Sequence, residues 1–273
     1  MNLTGTSRLR RWVRTSLIVF SVAIYTLLAP VGYALFTLLV RIPTRTPERR
    51  ARCLQRVVGA AFSGFHHWLR WLRILDFDPR PLRNQLPSGP FVVVANHPTL
   101  TDATAVLSAV PNLCTAVRSD LFHKPSLQPL LSGAGHFDAG TDNPLASLGL
   151  LEHAVERLHQ GFRVLIFPEG TRSNLFGLRR FGRSAFEAAT RARVPIVALL
   201  ITERPTYLAK GGRLFGPPSE LPVKRLKVLE IIDPSHFSED TRALRDYVEA
   251  SYRQALGLRS SAEAASSPVE EAG

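Results

Sequence analysis

Residues 91–102 read FVVVANHPTLTD, an apolar run that stops abruptly at a polar loop. Aromatic and β-branched residues packed without alternation and ended by Asn-His-Pro are the pattern of a buried strand that hands its carboxyl end to a loop. Residues 163–173, RVLIFPEGTRS, repeat the arrangement. Phe91–Ala95 and Arg163–Phe167 are therefore read as strands, and Val194–Ile201 and Lys227–Ile232 as a third and fourth. Helical periodicity falls between and after them, over Asp102–Ser108, Leu145–His159, Ser184–Arg191 and Glu239–Leu256, with Ser238 as the expected N-cap of the last. Strands alternating with helices predict an α/β domain, a mixed central sheet flanked by helices, over residues 81–258. No internal repeat is present.

Towards the N-terminus the character changes. Leu17–Val40 carries no formal charge, and as a helix it would measure about 36 Å, enough to cross a hydrocarbon core of about 30 Å. The run is long for a cleavable signal and arginines follow it at once, so residues 1–47 are read as a retained membrane anchor. Pro30 and Gly32 in the middle allow a kinked span or a re-entrant hairpin. Arginines flank both ends, so positive charge does not decide the orientation. Residues 48–75 follow as an amphipathic helix or helix pair, with Phe62, Phe65, Trp68 and Trp71 among arginines. That segment suits either the headgroup zone of a bilayer or the side of the catalytic domain, and His66 and His67 within it are expected at an interface or surface. The segment to residue 80 is treated as a unit, and the polar tail 259–273 is expected to be disordered.

The formal net charge of +12 calls for an anionic partner, and the hydrophobic segment favours membrane lipid over nucleic acid, for which no recognition motif is present. Cys53 and Cys114 lie far apart without metal-site or redox spacing, so neither a metal nor a disulfide framework is expected. A catalytic domain on the cytoplasmic face fits this chemistry, at the inner membrane if the source is bacterial.

The loops carry the chemistry. In NHPTLTD, Asp102 lies five residues after His97, near enough in a folded-back loop to hold one imidazole nitrogen and leave the other free to take a proton. The bland alternative is a loop histidine and an N-capping aspartate. In FPEGTRS, Gly170 permits close backbone approach, Thr171 adds a hydroxyl and Arg172 offers a planar fork for phosphate. Glu169 is assigned to ordering the loop, contacting an acceptor hydroxyl or pairing with Arg172. No G-x-S-x-G elbow occurs, which disfavours a serine hydrolase.

With both strings in this order, each after an apolar strand, the chain resembles the glycerolipid acyltransferase family of lysophosphatidic acid and glycerol-3-phosphate acyltransferases, as a divergent member. NHPTLTD stands where that family has its NHx4D motif, and the likeness covers roughly residues 85–235. AVRSDLF, with Arg118 and Asp120, resembles a block that usually reads Lys-x-Glu-Leu, and VPIVALLI, with Pro195, a strand near the acyl site. The resemblance implies an O-acyltransferase in phospholipid biosynthesis, with His97 as general base and Asp102 as its orienter. It implies Asn96, Arg118, Glu169, Gly170, Thr171 and Arg172 as substrate-binding residues. The donor would be acyl-CoA or acyl carrier protein as co-substrate, with no other cofactor, and the acceptor a lysophospholipid. Backbone amides near the His97 loop are expected to hold the developing oxyanion.

One departure stands out. Gly140 and Thr141 occupy the place of an arginine that in this family grips the acceptor phosphate, with Arg179, Arg180 and Arg183 as compensating cations. An acceptor of ornithine-lipid or aryl-polyene type is therefore the alternative to a phosphoglyceride, and a non-catalytic lipid-binding adaptor is the alternative to an enzyme.

Overall fold

The computed structural model describes residues 3–41, 44–140, 144–173 and 177–258. Its helices are α1 (Leu3–Arg41), α2 (Pro47–Trp71), α3 (Asp102–Ala109), α4 (Ser119–Phe122), α5 (Gln128–Gly133), α6 (Pro144–His159), α7 (Ser184–Ala192) and α8 (Thr241–Leu256). The strands are β1 (Val92–Ala95), β2 (Leu113–Val117), β3 (Phe137–Asp138), β4 (Arg163–Ile166), β5 (Ile196–Arg204) and β6 (Val223–Ile232). They form one six-stranded sheet in the order β3-β2-β4-β1-β5-β6, parallel throughout except for the antiparallel β5–β6 pair. The expected mixed α/β sheet flanked by helices is the fold.

Every residue of β1 is buried because both faces of the sheet are covered. Val92, Val94, Val164, Ile166 and Ala198 face a core closed by α6, α7 and α8. Phe91, Val93, Ala95, Leu165 and Val197 face the opposite core, beneath α3. Burial on both sides removes any reason for polar alternation, which is why these strands read as unbroken apolar runs.

The topology positions the site. Strands β1, β4 and β5 are parallel, so their carboxyl ends emerge on one edge, and the antiparallel β6 begins on that same edge with Lys224 paired opposite Glu203. Ligand sites in open α/β sheets lie at this edge.

Several sequence expectations are corrected. The short strands β2 and β3 and helices α4 and α5 were not expected; pieces of two to six residues carry too little periodicity to read. The last helix is capped not by Ser238 but by Asp240, whose carboxylate accepts from the backbone N–H groups of Arg242 and Ala243 at 2.9 and 3.0 Å. Ser238 instead closes a preceding 3₁₀ turn with a left-handed backbone. The 48–75 segment holds one helix, α2, which ends at Trp71, rather than a pair, and it packs on the catalytic domain through Leu54, Val58, His66 and Leu69. His66 is therefore not a surface residue: it is 1% exposed, its Nε2 lies 3.1 Å from the Thr104 hydroxyl on α3, and its ring meets Phe77 edge-on. Burial and the nearby Lys224 charge lower its pKa to about 4, which keeps it neutral. The tail 259–273 and Thr141 lie outside the described residues.

Helix α1 continues through Pro30 as a single helix, not a hairpin. Its Arg11–Leu28 window has a mean hydropathy of 1.3, long and apolar enough to cross a membrane by length and composition. One stripe docks on the domain: Ile18 is buried with Leu69, Leu72 and Leu75, and the Ser21 hydroxyl accepts from the Trp68 indole at 3.2 Å. Leu9, Trp12, Phe20, Leu27, Leu28 and Val31 remain exposed around the rest of it.

Candidate active site

Asn96 directly follows β1 and is 3% exposed. Its amide accepts from the Ile201 N–H at 2.7 Å and donates to the Ile201 carbonyl at 2.9 Å, sealing the loop to β5. Both ends of its amide are thus engaged within the frame.

His97 follows with its ring stacked on Phe167, centroids 4.3 Å apart. Its Nδ1 lies 3.0 Å from Asp102 Oδ2. A carboxylate can only accept, so Nδ1 carries the hydrogen, and Nε2, which has no partner among the described residues, presents its lone pair outward. The side chain is 19% exposed, enough to meet a substrate.

Asp102 is fully buried at the start of α3. Its Oδ2 also accepts from the Thr99 N–H at 2.6 Å, and its Oδ1 from the Thr99 hydroxyl at 2.7 Å and from Lys224 Nζ. Lys224, likewise fully buried, donates further to Thr99 Oγ1 at 2.7 Å and to Glu203 Oε2 at 3.0 Å. Burial opposes ionisation of Asp102, but the Lys224 charge and the hydrogen bonds from His97 and Lys224 outweigh it and hold the carboxyl below its ordinary range. For Glu203 burial prevails over the same lysine and the carboxyl is raised. Lys224 and Glu203 escaped the sequence reading, because only the β5–β6 register brings them 122 and about 100 residues along the chain to Asp102.

The second loop locks onto the first. Glu169 Oε1 accepts from the His97 N–H at 3.0 Å and the Ser173 hydroxyl at 2.6 Å, and Oε2 from the Arg179 N–H at 2.9 Å. Of the three roles expected for Glu169, loop ordering is the one its bonds describe. Gly170 adopts φ +67°, a left-handed turn that a side chain would strain. Thr171 is half-buried beside it. Arg172 does not pair with Glu169; its Nη1 donates to the carbonyls of Leu208 and Ala209 at 3.1 and 3.3 Å, fastening the β5–β6 connection over the site.

Other expected residues stand apart. Arg118 is 77% exposed and paired with Asp120 at 2.8 Å. Arg183 pairs with Glu187 at 3.6 Å, and Arg180 is exposed. Gly140 donates its N–H to Asp138 Oδ1 at 2.9 Å. The amides of His97, Thr99 and Leu100 are already bonded, to Glu169, Asp102 and Leu208, and Pro98 has none, so these four residues do not offer the expected oxyanion donors. No cluster of three metal-ligating side chains occurs among the described residues.

Beside the buried cluster lies an apolar cavity of about 290 Å³, walled by Ile18, Phe65, Leu69, Leu75, Tyr207 and Leu208, and bordered by Thr101 and Glu203. Helix α1 thus supplies one wall of a chamber that opens beside the His97 loop.

Comparison with known proteins agrees with this architecture. Residues 80–202 match the family model described as Acyltransferase. The 1-acyl-sn-glycerol-3-phosphate acyltransferase alpha of Mus musculus is 28% identical over 225 residues, covering 81% of this chain and 76% of that protein. Its Homo sapiens counterpart is 28% identical over 187 residues, 67% and 64% of the two chains. The crystal structure of the 1-acyl-sn-glycerophosphate acyltransferase PlsC from Thermotoga maritima shares the fold, with a TM-score of 0.66 at 22% identity, covering 97% of this chain and all of that one. By its two motif-bearing loops and its relatives, the chain is similar to the glycerolipid acyltransferases and carries an acyltransferase domain over residues 80–202.

Proposed function

We propose that this acyltransferase moves a fatty acyl group from a thioester, acyl-CoA or acyl carrier protein, to the free hydroxyl of a lysophospholipid at a membrane surface. The observation that carries the reading is the His97 ring, with Nδ1 held at 3.0 Å by Asp102 and Nε2 without a partner among the described residues. In the reaction Nε2 takes the acceptor hydroxyl proton as the oxygen attacks the thioester carbonyl. The tetrahedral oxyanion then collapses, the C–S bond breaks, and the imidazolium returns its proton to the departing thiolate.

The apolar cavity supports an acyl chain lying against α1 with its carboxyl end near His97. The exposed apolar flank of α1 supports attachment to a bilayer. Relatives named for 1-acyl-sn-glycerol-3-phosphate support that acceptor. Gly140, with its amide bound to Asp138, favours keeping a second acceptor class, lysolipids of ornithine or aryl-polyene type, in the test.

Purified protein should be incubated with palmitoyl-CoA or palmitoyl-acyl carrier protein against a panel of lysolipids, following free thiol and product mass. His97→Ala should abolish thiol release while retaining a wild-type melting profile. Near-normal turnover by that variant would defeat the assignment.

A further inference from the structure

Two carboxylates and one ammonium are sealed together behind the His97 ring. Asp102, Lys224 and Glu203 are 0%, 0% and 5% exposed. All three ammonium hydrogens of Lys224 are engaged, by Asp102 Oδ1, Thr99 Oγ1 and Glu203 Oε2. Thr99 passes its own hydroxyl hydrogen on to Asp102 Oδ1 at 2.7 Å, so the four groups form a closed set. Glu203 is tied to its own strand end through the Tyr207 N–H at 2.8 Å.

The count of charges is uneven. An orienting carboxylate needs only one counter-charge, the imidazolium that forms on it, and a second buried carboxylate beside a lysine is costly unless it has a use. With both carboxylates ionised the sealed set carries one net negative charge, and protonating His97 brings the set with its imidazole to neutrality. Without Lys224 the charge would be twice as negative. Without Glu203 it would be zero, and the imidazolium would stand uncompensated.

We propose that Lys224 and Glu203 are a matched pair of positioning residues that set the charge behind His97 at one negative, so that its imidazole is free to accept a proton yet stabilised once it has done so. In this role both act through Asp102. The other titratable groups facing the set are His66 on α2, held neutral, and Tyr207, whose hydroxyl burial pushes up to about 12. Asp76, whose carbonyl accepts from the Lys224 N–H at 2.8 Å, directs its carboxylate away to Arg70 at 3.0 Å. His66 and Tyr207 do not change charge between pH 5 and 9, which leaves the pair as the balance.

The proposal rests on His97 being the base, and a charge-balance cycle on the full chain separates the two ideas. Wild type, Lys224→Met, Glu203→Gln and the double variant are assayed for kcat and kcat/KM from pH 5 to 9, on whichever thioester the wild type consumes, with melting profiles in parallel. Lys224→Met should shift the acidic limb of kcat/KM up by about one pH unit, since removing a nearby positive charge favours the protonated imidazole. Glu203→Gln should shift it down and lower kcat by roughly tenfold or more, with KM little changed. In the double variant the sealed charge is again one negative, and the limb should return to within a few tenths of a unit of wild type. If Lys224→Met does not fold, the Glu203→Gln limb and the double variant still decide. Limbs that move in the same direction, or do not move, overturn the proposal; if His97→Ala is dead in that same assay, the base assignment survives. An active His97→Ala overturns the base assignment itself.

Discussion

Asp102→Asn keeps the size of the side chain and replaces one acceptor oxygen by an amide that donates. Wherever the nitrogen settles, it opposes donors: on the Oδ2 side the His97 Nδ1–H at 3.0 Å and the Thr99 N–H at 2.6 Å, on the Oδ1 side the Thr99 hydroxyl and Lys224. Each buried donor left unmatched costs about 1–3 kcal/mol, and breaking a buried ion pair costs about 3–5 kcal/mol. Glu203 remains as a partner for Lys224 at 3.0 Å, which places the expected loss at the lower end, about 3 kcal/mol. At roughly 2–4 °C per kcal/mol, Tm should fall by about 6–12 °C. In protein held well below that melting point, kcat should drop by roughly 10²–10⁴-fold, because the ring loses the acceptor that fixes its tautomer. The assay is thiol release under saturating thioester, with circular dichroism on the same samples. A folded Asp102→Asn protein turning over within about threefold of wild type would refute the orienting role, since nothing else among the described residues holds Nδ1.

The acid dependence of stability follows from the same residue. Its folded pKa lies below the unfolded value of about 3.9, so the stability it contributes is complete above about pH 5 and is lost as pH falls through the folded value; urea unfolding of wild type and Asp102→Asn should therefore converge in acid. Asn96→Ala leaves the Ile201 N–H and carbonyl unpaired in the core, and should cost about 2–4 kcal/mol in urea unfolding, with a matching fall in Tm. Leu69→Phe adds bulk to the wall of the cavity between α1 and the His97 loop, and competition between long- and short-chain thioesters should show a preference moved toward the shorter chain. An unchanged chain-length profile would remove the cavity from the acyl site.

The two strands that present His97 and Glu169 were legible because a strand buried on both faces has no polar alternation, and Val92–Ala95 and Arg163–Ile166 show that signature directly. The His97–Asp102 pairing was legible because it is closed within one loop and the first turn of one helix. Whether His66 lay at an interface or the surface was not legible, because an amphipathic pattern reveals that a helix has an inward face, not which polar residue that face will include once α3 and Phe77 lie against it. Arg172 was read as a phosphate fork from its residue type, whereas its partners are carbonyls of a loop more than thirty residues later.

The sequence by itself determined the fold class, the apolar N-terminal helix and the loop that joins an imidazole to a carboxylate, because each is written in residues near one another along the chain. What lies behind that carboxylate was decided only by tertiary structure. Lys224 sits in a strand that reads like any other amphipathic edge, and its placement depends on β6 running antiparallel to β5 so that it opposes Glu203. A buried ammonium is stable only where carboxylates surround it, and no local pattern can announce that three distant segments will meet to provide them.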